Sequence, residues 1–217
     1  MIVMNELVAG YDRMPVTRAL SGVIERGSMT AIIGANGCGK STLLKTLAGF
    51  IPPVSGRFRW QEKRPVIGWL AQRHALEAQF PLTVQDVVSM GCWPRVSLFS
   101  GFRRETRSRI ASALERVGLD AMALSTIDAL SGGQFQRMLF ARILVQQAPL
   151  VMLDEPFTSV DEATCNVLMD LMLEMYMQGQ TLLAVLHDSE RVSRHFPQTL
   201  RLDTAIPHWK TEWVRVA

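Results

Sequence analysis

A five-residue apolar run, Met29-Thr30-Ala31-Ile32-Ile33, passes without a break into Gly34-Ala35-Asn36-Gly37-Cys38-Gly39-Lys40-Ser41. The run reads as a strand buried on both faces, as strands of a parallel sheet are. Residues 41–48 then have helical character and stop at Gly49, with Pro52-Pro53 just beyond, the composition of a helix terminus. Strand, glycine-rich turn and helix, in that order, turn the pattern G-x-x-x-x-G-K-[ST] into a phosphate-binding loop. The glycines let backbone N–H groups converge on phosphate oxygens, and the helix N-terminus adds positive potential. Lys40 reaches the outer phosphates of a nucleotide, the Ser41 hydroxyl ligates Mg²⁺, and Thr42 supports the phosphates. Cys38 sits at a variable position of the loop and needs no chemical role.

The rest of the chain supplies a core for this loop. Short strands are predicted at 57–60 and 66–70, then at 150–153 and 181–186, the last two separated by a helix over 162–178 that ends at Gly179. That alternation predicts a parallel α/β core. Between 80 and 147 the pattern is helical, broken at Gly91, Pro94, Gly101 and Gly118, with no strand. It reads as an inserted helical lobe. The expected organisation is one domain over 1–217, with 1–72 and 148–217 as nucleotide-binding core and 73–147 as helical subdomain. The arginine-rich run 103–109 reads as a solvated helix face.

Two further segments carry chemistry. The strand Leu150-Val151-Met152-Leu153 delivers adjacent carboxylates, Asp154 and Glu155, at its C-terminal end, where open α/β sheets bind ligands. Successive residues of an extended chain point in different directions, so Asp154 is placed to hold the Mg²⁺ shell and Glu155 to act as general base on an attacking water. Ser131, Gly132, Gly133 and Gln134 have the spacing of a capping box opening a helix over 135–145. A glycine-rich, serine-capped helix N-terminus is also an anion site. The lysine loop already occupies one side of a nucleotide, so this second site serves a nucleotide held by another copy of the chain.

Composition removes several classes. Of 217 residues, 48% are hydrophobic and 20% charged, which excludes disordered, collagen-like and disulfide-scaffold chains. Lys and Arg number 23 against 20 Asp and Glu, a net charge of +3 that offers nucleic acid little. Cys38, Cys92 and Cys165 are odd in number and widely spaced, indicating neither disulfides nor a zinc knuckle. No apolar stretch approaches a membrane span and no signal segment opens the chain, so a soluble, cytosolic chain is expected.

Taken together, 34–42, Gln72, 130–134, 150–155, Ser159-Val160-Asp161 and His187 resemble, in order, the motifs of the ATP-binding subunits of ABC transporters. The resemblance covers nearly the whole chain, and Leu130-Ser131-Gly132-Gly133-Gln134 is specific to that superfamily. It implies a P-loop NTPase, RecA-like core with a mostly parallel sheet, an antiparallel β edge and an inserted α-helical subdomain. It also implies a head-to-tail homodimer that sandwiches two ATP molecules with Mg²⁺. By position, Gln72 resembles the residue that touches Mg²⁺ and water, Asp161 the aspartate at the dimer interface, and His187 the histidine that contacts the γ-phosphate. Tyr11 falls where the family stacks an aromatic ring on adenine.

Residues 80–91 and 155–161 look like the corresponding stretches of zinc and manganese import ATPases. Importers of iron-siderophore complexes, haem and cobalamin share much of this pattern and remain the alternative. A soluble ABC ATPase of DNA repair or translation is disfavoured, since the chain has no coiled-coil insert and a single motif set. A binding module without turnover is disfavoured by Lys40 and Glu155. The four histidines stand apart, so the transported metal would be bound by partners. Met169, Met172, Met175 and Met177 recur at helical spacing and read as packing. The resemblance implies an integral-membrane permease, indirectly a substrate-binding protein, and a peripheral position on the cytoplasmic face of the inner membrane.

Overall fold

The computed structural model describes residues 1–71, 82–95, 103–202 and 213–215. At the N-terminus, strand β1 (Ile2–Val8) buries Ile2, Met4 and Leu7. The spacing changes from two to three because the register shifts between Met4 and Leu7, with Glu6 at φ 50°. A bulge of this kind re-aims the inward face by one residue. A hairpin, β2 (Gly10–Tyr11) and β3 (Met14–Pro15), turns through Asp12 and Arg13, both at positive φ, and leads into β4 (Leu20–Ile24).

The run expected to be a buried strand is β5 (Met29–Gly34), and helix α1 (Lys40–Ala48) follows the glycine loop. Gly49 ends α1 in the left-handed conformation with φ 78°, and Arg64 Nη2 donates to the Ala48 carbonyl at 2.6 Å. Strand β6 (Ser55–Trp60) pairs with β1, and β1 with β4, as a three-stranded antiparallel sheet. Strand β7 (Ile67–Leu70) follows.

Contacts group the chain into two units. The first comprises Met1–Ile67, Pro149–Pro156 and Leu173–Ala217. Its main sheet contains β8 (Leu150–Asp154), β9 (Thr181–Val185), β10 (Gln198–Leu202) and β11 (Trp213–Arg215), in the order β11-β10-β5-β9-β8. Strands β10, β5, β9 and β8 run parallel and β11 is antiparallel. Every residue of β8 and β9 is buried, as expected of parallel strands covered on both faces. Helix α1 lies against β5, β8 and β9. This is the mixed α/β architecture that the motifs imply.

The second unit comprises Gly68–Ala148 and Phe157–Met172. Its helices are α2 (Val84–Ser89), α3 (Arg104–Arg116) and α4 (Gly132–Gln146), the last ending at Gln147 in the left-handed region. On α3 a stripe of Ile110, Ala113 and Leu114 is buried, while the arginine-rich start is solvated, with Arg109 bonded to Glu105 at 2.9 Å. Helix α5 (Glu162–Met177) buries Met169, Met172 and Met175 and exposes Met177. Met169, Met172 and Met175 pack as expected, whereas Met177 does not. In the first unit, the short helix α6 (Ser189–His195) is capped by Asp188.

Candidate functional site

The phosphate loop leaves the end of β5 and enters α1. Gly34, Gly37 and Gly39 have φ of 149°, 80° and 94°. A Cβ on Gly39 would lie 2.6 Å from Thr17 Cγ2, so both conformation and space require glycine there. Ala35, Asn36 and Gly37 are exposed, whereas Cys38 is buried and its Sγ packs beside Gly34. No side chain caps α1, so its first N–H groups keep the orphan donors that suit a phosphate.

Lys40 is 5% exposed, and its ammonium donates to the carbonyls of Gly34 and Ala35, each at 2.9 Å. The ammonium therefore sits inside the loop that would hold the phosphates. Thr42 is buried as well. Ser41 Oγ donates to Asp154 Oδ1 at 2.7 Å, joining the loop to the end of β8. Asp154 is 1% exposed, and burial pushes its carboxyl up. The Ser41 hydrogen bond opposes that rise, the neighbouring Glu155 charge adds to it, and Lys45 and Lys40 pull it back. A hydroxyl and a carboxylate at one point form an oxygen-only donor set that fits a hard divalent cation.

Glu155 follows β8 at φ 52°, a left-handed conformation uncommon for a side chain of this kind. Asp154 and Glu155 accordingly have different partners, Ser41 for the first and His187 for the second. His187, two residues past β9, lies with Nε2 2.8 Å from Glu155 Oε1. An ionised carboxylate only accepts, so the ring Nε2–H donates. The carboxylate side chain is 17% exposed and the imidazole 42%, which leaves the pair open to a water. The two are 32 residues apart in sequence, and spacing carries no sign of this pairing.

The hairpin that carries Tyr11 reaches the loop through its continuation. Val16 and Thr17 N–H groups donate to the Ala9 carbonyl at 2.9 and 3.0 Å, and Thr17 touches Gly39. Tyr11 is 44% exposed. Val16 and Thr17 are neighbours of the loop that motif reading misses, because only pairing with Ala9 brings them there.

In the second unit, Ser131 is the N-cap of α4. Its Oγ accepts the Gln134 N–H at 3.3 Å, and Gln134 Oε1 accepts the Ser131 N–H at 2.8 Å. The expected capping box is present. It leaves the Ser131 hydroxyl proton, the Gln134 amide N–H groups and the N–H groups of Gly132 and Gly133 for an anion. Asp161 is exposed and caps α5, accepting the Thr164 N–H at 2.8 Å and the Thr164 hydroxyl at 3.1 Å. Those bonds, the backbone one first, hold its carboxyl below the usual range. Gln72 lies outside the described residues. Among the described residues there is no group of three or more His, Cys, Asp or Glu able to hold a metal ion, and no helix long and apolar enough to cross a membrane.

Comparison with known families matches residues 17–158 to the ABC transporter family. The chain belongs to the ABC transporter family. The ABC chain is 38% identical over 207 residues to the zinc transport system ATP-binding protein TroB of Treponema pallidum (strain Nichols), covering 93% of this chain and 78% of that protein. It is 36% identical over 204 residues to the manganese transport system ATP-binding protein MntB of Bacillus subtilis (strain 168), covering 92% and 82%. Among solved structures it superposes on an inward-facing ABC transporter described as of metal-chelate type, with a TM-score of 0.83 and 27% identity, over 99% of this chain and 83% of that one. The chain is a nucleotide-binding ABC ATPase. Within this ABC fold the ends of β5 and β8 bring together Lys40, Ser41 and Asp154, and the end of β9 brings His187 to Glu155.

Proposed function

We propose that this chain is the ATP-hydrolysing subunit that powers import of a metal ion, zinc or manganese, through a separate integral-membrane permease. The observation that carries the reading is the convergence of Lys40, Ser41, Asp154, Glu155 and His187 in a chain 36–38% identical to zinc and manganese transport ATP-binding proteins. The nucleotide-binding core spans 1–72 and 148–217 and the helical subdomain 73–147. Two copies assemble head to tail on the cytoplasmic face of the inner membrane, with a substrate-binding protein upstream and no nucleic acid.

In this reading residues 34–42 cradle the phosphates. The Lys40 ammonium exchanges the carbonyls of Gly34 and Ala35 for phosphate oxygens, at little cost because it is already desolvated. Ser41 and Asp154, with Gln72, hold Mg²⁺, which when bound supplies charge compensation for the phosphates. Glu155 accepts the proton of the attacking water. His187 fixes the Glu155 carboxylate through its Nε2–H and faces the γ-phosphate. Tyr11 stacks on adenine. Ser131 of the partner subunit, with the N–H groups that follow it and Asp161 nearby, closes the other side of the nucleotide.

The likeness to a metal-chelate type transporter favours one second reading, an importer of an iron-siderophore complex, haem or cobalamin. Growth of cells lacking this chain separates the two. Loss of growth on limiting zinc or manganese, restored by the wild-type chain and not by Lys40→Ala, is expected. A defect confined to chelated iron, haem or cobalamin would replace the first reading with the second.

A further inference from the structure

Two helix N-termini meet in the second unit, beside the turn proposed to close the nucleotide site. Helix α4 begins at Gly132, α5 begins at Glu162, and the Asp161 side chain lies between them. Thr164, 6% exposed, holds both carboxylate oxygens: its N–H donates to Oδ1 at 2.8 Å and its hydroxyl to Oδ2 at 3.1 Å. A Cβ on Gly133 would come within 3.0 Å of Thr164 Oγ1 and 3.2 Å of Asp161 Oδ2. Gly133 has no positive φ, so glycine answers there to space and not to backbone conformation. Glycine is a poor helix former relative to alanine, and α4 carries it in its first turn, where the Asp161 carboxylate and the Thr164 hydroxyl crowd the space a Cβ would take.

We propose that Thr164 is a positioning residue for ATP hydrolysis: its buried hydroxyl holds the Asp161 carboxylate against Gly133 and thereby sets where the anion-binding turn 131–134 stands relative to the Asp161 loop. This rests on the reading of that turn as the site for a nucleotide held by another copy. Without the hydroxyl, Oδ2 loses its donor and turns toward water, and the contact with Gly133 is lost. The Thr164 N–H bond to Oδ1 survives, so α5 keeps its cap. The defect therefore falls on the shared face rather than on folding.

The test combines Thr164→Val, which keeps the shape, and Thr164→Ser, which keeps the hydroxyl, each alone and in a Glu155→Gln background that traps ATP-bound dimers. Thr164→Val is expected to leave binding of a fluorescent ATP analogue to the monomer within about twofold. It is expected to weaken ATP-driven dimerisation and kcat about tenfold, the size of one lost hydrogen bond to a charged group. Thr164→Ser restores both. Gly133→Ala pushes the carboxylate from the other side and weakens dimerisation independently. Wild-type dimerisation by Thr164→Val or by Gly133→Ala, or failure of Thr164→Ser to restore it, overturns the proposal. Failure of Glu155→Gln itself to dimerise with ATP overturns the shared-site reading instead, and the proposal with it.

Discussion

Lys40 and Asp154 carry opposite charges almost wholly withdrawn from water, at 5% and 1% exposure. Each is held by neutral partners, the loop carbonyls and the Ser41 hydroxyl. Burial of a carboxylate without a cation disfavours its charged form, as the upward push on Asp154 records. Such a group contributes stability that is present at low pH and lost as pH rises through its folded-state titration. Asp154→Asn keeps an acceptor for Ser41 and removes the buried charge. The nucleotide-free variant is expected to melt at the same temperature as the wild type or higher at neutral pH, by differential scanning calorimetry. Its turnover should fall on the order of 10²-fold or more. A clear drop in melting temperature would show that the charge stabilises the empty site. At this scale 34–41 and Asp154-Glu155 are legible because each is contiguous. Val16, Thr17 and the Glu155–His187 bond are not, because their partners come from other strands.

Helix ends were the most legible elements. Ser131 with Gln134 predicts the start of α4, Gly49 the end of α1 and Gly179 the end of α5, since caps are local hydrogen-bond problems. The short α2 depends on a similar device: Asp86 accepts the Thr83 N–H at 2.9 Å and the Thr83 hydroxyl at 2.6 Å. Thr83's hydroxyl contributes most to holding the Asp86 carboxyl below its usual range, and its N–H adds to this. A lowered folded value gives stability that is present above the unfolded carboxylate range and lost as pH falls through the folded one. Asp86→Asn should therefore flatten the acid-side loss of stability below about pH 4. The box is exposed, so the cost at neutral pH is about 0.5 kcal/mol after solvent screening. Urea unfolding at neutral and acid pH measures both. Strand β1 is less legible because the bulge at Glu6 breaks the two-residue alternation that would reveal it.

For the whole molecule, the order β10-β5-β9-β8 is not the order of the chain. It brings the ends of three parallel strands side by side, where the loop, the carboxylates and His187 stand. If turn 131–134 serves a second copy, specific ATPase activity should fall steeply as the chain is diluted, and added wild-type chain should restore it. Constant specific activity across a thousandfold dilution of monomer would contradict the shared site. The sequence by itself determined what neighbours along the chain can settle: the glycine loop, the paired carboxylates, the serine-capped start of α4 and the parallel α/β class. Only the tertiary structure decided that Ser41 bonds Asp154, that His187 bonds Glu155, and that Asp161 rests on Gly133. The first two contacts join residues separated by 113 and 32 positions. Nothing in local propensity specifies them, and they form only when the sheet closes and brings its strand ends together.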